Sequence, residues 1–365
     1  MVGPYGLTKA ELDTPLLCVD LDAFERNLRF MSQTVLAGGK TWRPHSKGHK
    51  SPAVAWRQIR AGAIGVTCAK VSEAEVMAQA GVRDILIANV IAGSHKVERL
   101  ASLCSAADPI ICCDHFAQAE PIAAACRRRG VTCRVLVDIN IGMNRTGCRP
   151  GMDAVDLGEA ITKLEGLELV GIMGYEGHLL RIADPAEKEQ QIRGALDVLG
   201  HCREMFHRQG LRCDIVSAGG TGSVTITSQS PSITEVQSGG GIFGDPFYRE
   251  ACQVEPITPA LTVLSTVTSR PSLERAVLDA GRKTLNPELG FPKVAGHADA
   301  VVASMSAEHC TLSLGPQSQD LKIGDQVELV VGYHDWTTVL HDQFVTFRND
   351  RAEGVWPILG RGKLQ

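Results

Sequence analysis

The sequence predicts an α/β protein: a (β/α)8 barrel of the TIM type over residues 23–255, then a β-rich domain over residues 256–365. Three observations predict it. Eight short runs rich in Val and Ile alternate with segments of helix-forming composition. The runs mostly lack apolar/polar alternation, as strands of a parallel sheet buried on both faces do. After Cys252 the helical segments give way to short strands separated by Gly, Pro and Asp turns.

In chain order, 16–20 reads as a strand and 22–35 as the helix that follows it. The eight barrel runs lie at 41–45, 63–68, 84–88, 110–113, 134–138, 167–173, 213–217 and 233–237. Helical segments with a spaced apolar face lie between them, among them 71–80, 116–129, 151–163 and 187–209. Eight strands also suit an open doubly wound sheet, but eight intervening segments favour closure into a barrel. Pro256 and Pro259 mark a domain boundary. Beyond it, strands are expected at 260–267, 276–278, 297–304, 326–331 and 343–348.

Composition excludes several classes of function. The chain has 365 residues, enough for more than one domain, with 37 basic against 41 acidic side chains. That balance leaves no footprint for nucleic acid or an acidic membrane surface. No apolar run approaches the ~18 residues of a membrane span, and Met1 to Tyr5 do not read as a secretory leader. The twelve cysteines include no C-x-x-C pair and sit mostly in apolar runs. They read as reduced core residues of a cytoplasmic protein.

The most informative stretch is Arg43-Pro44-His45-Ser46-Lys47-Gly48-His49-Lys50, five basic side chains in eight residues. Pro44 and Gly48 break any helix, so it reads as a strand end opening into a loop. Crowded like charges lower a lysine's proton affinity, and neutral amine is what Schiff-base chemistry needs. A phosphate-binding basic loop and a solvated face are the other readings. The motif resembles the pyridoxal phosphate lysine motif of the D-threonine aldolase and D-serine dehydratase family, which has the alanine racemase type of fold. The resemblance runs from Asp13-Thr14-Pro15 to His341-Asp342. It implies that Lys47 carries the cofactor as a Schiff base, with His45 beside it. It also implies that the N-terminal segment 1–22 joins the β-rich domain, and that the protein is a homodimer.

Barrel enzymes place their chemistry at the C-terminal ends of the strands. After the fifth run, residues 138–147 form a Gly-containing loop that aims Arg145 either into the barrel mouth or into solvent. After the sixth, Tyr175 and His178 stand at the strand end, either in the site or merely half-buried. The seventh and eighth lead into Gly-rich turns around Gly220-Thr221-Gly222 and Gly240-Gly241. Loops at those two positions are the common phosphate site of such barrels, where backbone N–H groups meet the anion. By resemblance, Arg145 contacts the cofactor's phenolic oxygen, Tyr175 lies against the cofactor, and the two Gly-rich loops hold its phosphate. Phe243-x-Asp245-x-x-Tyr248 continues the match.

In the β-rich domain, Asp279 to Lys283 and Glu308-His309 look like family stretches near the active site. Metal-dependent members of the family have His-x-Cys or His-x-Asp near the end of that domain. This chain departs from that pattern. Aligned without a gap on His341-Asp342, the pair falls on Tyr333 and Asp335, and the histidine is displaced to His334. His334 and Asp335 are either ligands for a divalent ion (Mn, Mg or Zn), with His341 as a third, or a proton-transfer histidine and its orienting carboxylate.

The resemblance implies a pyridoxal phosphate-dependent lyase acting on D-3-hydroxy amino acids, cleaving Cα–Cβ to glycine and an aldehyde. A D-serine-type dehydratase and an amino acid racemase use the same lysine and are the alternatives. A non-catalytic pyridoxal phosphate carrier with the same barrel is the reading of another class. The second domain argues against it.

Overall fold

Residues 4–365 are described by a computed structural model. Thus residues 1–3 of the N-terminal segment expected to join the second domain lie outside the described residues. Strand β1 (Leu16–Asp20) leads directly into α1 (Leu21–Ala37). Eight parallel strands then follow: β2 (Thr41–Trp42), β3 (Val66–Cys68), β4 (Asp84–Val90), β5 (Asp108–Cys113), β6 (Cys133–Asp138), β7 (Leu167–Met173), β8 (Ile215–Ala218) and β9 (Glu235–Val236). They are hydrogen-bonded in the order β2-β9-β8-β7-β6-β5-β4-β3, and a parallel bridge from His45 to Thr67 links the two ends of that order. The result is the TIM-like curl that the eight apolar runs predict. Connecting helices are α2 (Pro52–Arg60), α3 (Val71–Gln79), α4 (Ser94–Leu103), α5 (Phe116–Arg129), α6 (Met152–Thr162), α7 (Pro185–Arg208) and α8 (Val224–Gln229).

Local chemistry explains the helix ends. Asp184 accepts a hydrogen bond from the Glu187 amide and Pro185 opens the first turn of α7. Gly130, at φ 65°, ends α5 in the left-handed region. The strands pack Leu86, Ile110, Cys112, Leu136, Val170 and Met173 into one buried cluster. Each such aliphatic side chain contributes about 1.5–3 kcal/mol by leaving water.

The second sheet contains β10 (Leu261–Ser272), β11 (Arg275–Leu278), β12 (Lys293–Val294), β13 (Ala300–Met305), β14 (Cys310–Leu314), β15 (Gln326–Val330), β16 (Gln343–Arg348) and β17 (Arg351–Pro357), with the single-turn helix α9 (His334–Thr337) before β16. β1 inserts between β10 and β16, antiparallel to the first (Leu16 opposite Leu264) and parallel to the second (Cys18 opposite Val345). Its burial anchors a cluster of Cys18, Leu264, Val345, Phe347 and Ala352. β12, β14 and β17 have no counterpart in the sequence expectation.

The chain divides into two compact units. The barrel unit holds Phe30–Lys47, Ala55–Gly239 and Gly362–Gln365; the other holds residues up to Arg29, Gly48–Val54 and Gly240–Arg361. The boundary expected at 255/256 therefore lies at Gly239/Gly240. The reason is packing: Ala260 donates its backbone N–H to Phe243 O, and Asn27 holds the carbonyls of both Ile242 and Thr258. Among the described residues no helix is long and apolar enough to cross a membrane, and all twelve cysteines are unpaired thiols.

Candidate active site

In the barrel unit, Lys47 follows β2 in a loop shaped by local bonds. The Lys47 amide donates to His45 Nδ1 at 3.3 Å, and the buried Ser46 hydroxyl donates to Glu73 at 2.8 Å. Arg43 does not crowd the lysine as the sequence reading expected. Its guanidinium is buried and pairs with Glu235 and Asp84, at 2.8 Å each. Those two carboxylates neutralise it, so the cationic crowding is weaker than a count of basic residues implies.

At the end of β6, Asp138, Asn140, Arg145, Thr146 and Tyr175 help line a small hollow, with room for about one water molecule. The Arg145 guanidinium carbon lies 5.7 Å from the centre of the Tyr175 ring, a cation–π stack. Asp138 accepts the Thr146 hydroxyl at 2.8 Å. Burial lifts the Asp138 carboxyl to about 6, against the opposing pull of Thr146 and of the Arg145 charge. Gly142, at φ +114°, turns the loop so tightly that a Cβ there would lie 2.9 Å from His178 Nε2. Tyr175 closes on the next loop: a Cβ at Gly220 would lie 2.8 Å from its hydroxyl. The expected set Arg145, Tyr175 and Gly220 is thus one contiguous surface, with Thr221 and Gly222 continuing its loop. In the other Gly-rich loop, the Ser238 hydroxyl is buried and has no hydrogen-bond partner among the described residues.

In the second unit, the segment entering α9 is held by one carboxylate. Asp245 accepts the His334 amide at 3.0 Å and also pairs with His334 Nδ1. The imidazole is wholly buried. Phe243, Tyr248 and Tyr333 pack around it with ring centroids 5.0, 5.9 and 5.6 Å away. Nε2 lies 3.0 Å from Asp335 Oδ1, within ion-pair range but without the alignment of a hydrogen bond. Burial alone would lower the proton affinity of this imidazole. The two carboxylates outweigh it and raise His334 to about 9. With no other cation present, His334 is charged at neutral pH. In that form it is a proton donor, one of the roles open to the proton-transfer histidine expected from the sequence.

Gly240 and Gly48 both press on this ring. A Cβ at Gly240 would lie 2.8 Å from His334 Cε1, and one at Gly48 would lie 2.7 Å from His334 Cδ2. Gly48 is the residue directly after Lys47 in the chain. The structure does not recruit His341 to the pair, since its Nε2 bonds the Thr284 carbonyl at 2.8 Å. Lys283 and Glu308 form an exposed pair with each other, at 2.5 Å. Among the described residues, no group of three or more His, Cys, Asp or Glu side chains is arranged to hold a metal ion.

Three residues of this region were given no role by sequence reasoning: Asp138, Glu176 and Asp245. Each is a buried acid at a strand end or in a loop, and two of them adjoin a glycine: Glu176 precedes Gly177 and Asp245 follows Gly244. That pattern was the available signal. A buried acid needs a partner, and perturbed buried acids cluster at functional sites.

Residues 19–246 match the alanine racemase N-terminal domain family, and residues 260–347 match the serine dehydratase domain family. The chain is 32% identical to a D-threonine aldolase of Arthrobacter sp over 97% of its own length and 94% of the relative's. It is 32% identical to the 3-hydroxy-D-aspartate aldolase of Paracoccus denitrificans over 98% and 94%. The crystal structure of D-threonine aldolase from Filomicrobium marinum superposes with a TM-score of 0.96 at 36% identity, over 100% of both chains.

Proposed function

Since the chain belongs to the alanine racemase-type family that contains the D-threonine aldolases, we propose that it is a pyridoxal phosphate-dependent lyase cleaving D-3-hydroxy amino acids to glycine and an aldehyde. The observation that carries this reading is the end-to-end likeness to D-threonine aldolase, with both domains present. The family implies the cofactor, and the residues fit it. A buried, unpartnered hydroxyl at Ser238 and two Gly-rich loops suit a phosphate, and Arg145 stacked on Tyr175 suits a ring oxygen.

The residues that would hold it are Lys47 and His45, Arg145 and Tyr175, and the loops of Gly220-Thr221-Gly222 and Gly240-Gly241. Bound there, pyridoxal phosphate supplies an electron sink for the pair left on Cα when a bond to it breaks. Lys47 exchanges protons at Cα. His334 and Asp335 are the second proton-transfer group. The cationic His334 donates and the Asp335 carboxylate accepts. The buried aromatic packing around His334 strengthens these charges by excluding water.

A second reading has a specific observation behind it. His334 Nε2 and Asp335 Oδ1 are 3.0 Å apart with no aligned hydrogen bond, while Asp245 fixes the ring through Nδ1. A carboxylate on the far nitrogen is how a metal-ligating histidine is oriented. A divalent ion (Mn, Mg or Zn) taken by this pair would act as a Lewis acid on the substrate hydroxyl. Chelator treatment separates the two readings: activity lost and restored by one of these ions means metal, and indifference means that the pair works as a proton carrier.

Product analysis with D-threonine, D-serine and D-3-hydroxyaspartate tests the reaction itself. Glycine with the corresponding aldehyde is expected. A 2-oxo acid with ammonia would make the protein a dehydratase, the L-enantiomer a racemase, and no turnover with tight cofactor binding a carrier. Borohydride reduction followed by peptide mapping should place the pyridoxyl label on Lys47, and a label on Lys50 or Lys70 would overturn that assignment. The proposed enzyme is homodimeric, as the family resemblance implies, and cytoplasmic, as the placement of its cysteines in apolar runs implies.

A further inference from the structure

Glu176 is a wholly buried carboxylate, and no Lys or Arg forms an ion pair with it among the described residues. A buried charge without a counter-ion is costly unless hydrogen bonds replace its water. Here three neutral donors do so, and all three lie in one short segment that runs from the turn after β8 into α8. Glu176 accepts the Ser223 hydroxyl at 2.5 Å, the Thr227 hydroxyl at 2.9 Å and the Gly219 amide at 3.3 Å. Ser223 Oγ, its own proton donated to Glu176, accepts the Gly220 amide at 3.2 Å. The carboxylate therefore grips the segment 219–227 at its start, middle and end. Gly219 makes this grip possible: it takes φ +89°, and a Cβ there would lie 2.9 Å from Thr227 Cγ2.

The neighbouring residue works on the same loop from another side. Tyr175 lies over Gly220 and stacks with Arg145. The dipeptide Tyr175-Glu176 thus ties two loops together, 142–145 through the stack and 219–227 through the carboxylate.

We propose that Glu176 is the positioning residue of the anion site: its hydrogen bonds to Gly219, Ser223 and Thr227 preset the Gly220-Thr221-Gly222 backbone for a phosphate monoester. This rests on the cofactor reading above, with the phosphate at that loop. Three donors that would otherwise turn toward any acceptor are committed to Glu176, and the loop backbone is ordered before the anion arrives. Preorganisation of this kind appears as affinity for the anion.

The test compares pyridoxal phosphate with pyridoxal, which lacks the phosphate. Cofactor-free protein is titrated with each, and binding is read from absorbance and tryptophan fluorescence, not from turnover. Wild type should prefer the phosphorylated form strongly. If it shows no preference, the phosphate assignment fails, and the inference fails with it. Glu176→Gln replaces one acceptor oxygen with a donor facing donors. It should weaken pyridoxal phosphate binding by about 10–100-fold, the scale of a lost charge-assisted hydrogen bond, and pyridoxal binding much less. The phosphorus NMR shift of bound cofactor should move as well. A general loss of stability would weaken both ligands alike and leave their ratio unchanged. Ser223→Ala removes one of the three donors and should shift the ratio in the same direction by less; it decides the matter if Glu176→Gln does not fold. A wild-type preference retained unchanged in both variants would overturn the role of Glu176.

Discussion

A methyl group added at residue 48 would overlap His334 Nε2 and lie 2.6 Å from Asp335 Oδ1. Backbone conformation is not what requires glycine there; the space is taken by the imidazole. Gly48→Ala should therefore fold but displace His334, lowering turnover by about 10²-fold, the usual effect of a misplacement near 1 Å. Near-normal turnover in that variant would remove His334 from the mechanism. Asp138 makes a prediction in pH. Its folded carboxyl titrates at about 6, raised by burial from the ordinary 3.8. The folded state thus binds this proton more tightly than the unfolded state does. Its contribution to stability is complete below about pH 4 and is lost as pH rises through 6. Asp138→Asn should accordingly raise the melting temperature above pH 6, by the equivalent of about 1–3 kcal/mol, with no gain below pH 4. Thermal melts across pH 4–8 would check this, and a pH-independent difference would count against the assignment.

At the scale of elements, the barrel strands are joined by ions as well as by apolar packing. Arg43, just past β2, pairs with Glu235 in β9 and Asp84 in β4, and Asp84 also pairs with Arg134 in β6 at 2.6 Å. Removing the buried guanidinium leaves Glu235 buried without its counter-ion. Arg43→Ala should then cost about 3–5 kcal/mol, measurable by urea unfolding, whereas a loss under 1 kcal/mol would mean that water replaces the arginine. The Asp184 cap is a smaller case. It satisfies one amide of α7 at the surface, and Asp184→Ala should cost about 1 kcal/mol. The eight apolar runs located the strands, and the helical periodicity located α5 to within its ends, because hydrophobic spacing is a local property. The short strands β12, β14 and β17 were not legible in the same way. Their burial alternates or is partial, so they lack the continuous apolar run that marks the barrel strands, even though β14 and β17 pair as hairpins with the strands just before them.

At the scale of the whole molecule, two further experiments bear on the proposals. Sedimentation at micromolar concentration should give a dimer, and a fully active monomer would refute the proposed assembly. His334→Ala should abolish most turnover, by roughly 10²–10⁴-fold, while leaving the cofactor's absorbance in place. If His341→Ala does this instead, the roles are reversed. The sequence by itself determined the barrel, the lysine motif and the Gly-rich loops, because each is written in contiguous residues: runs of Val and Ile, Arg43 to Lys50, and glycines after strand ends. Tertiary structure alone decided what the charges do. Whether Arg43 crowds Lys47 or neutralises Glu235, whether His334 is a base or a cation, and whether Glu176 is solvated or grips a loop depend on partners far along the chain (192, 89 and 47 residues away). The effect of a charge is set by burial and by the groups that meet it in the fold, and of the partners named here only Asp335, next to His334, is a neighbour in sequence.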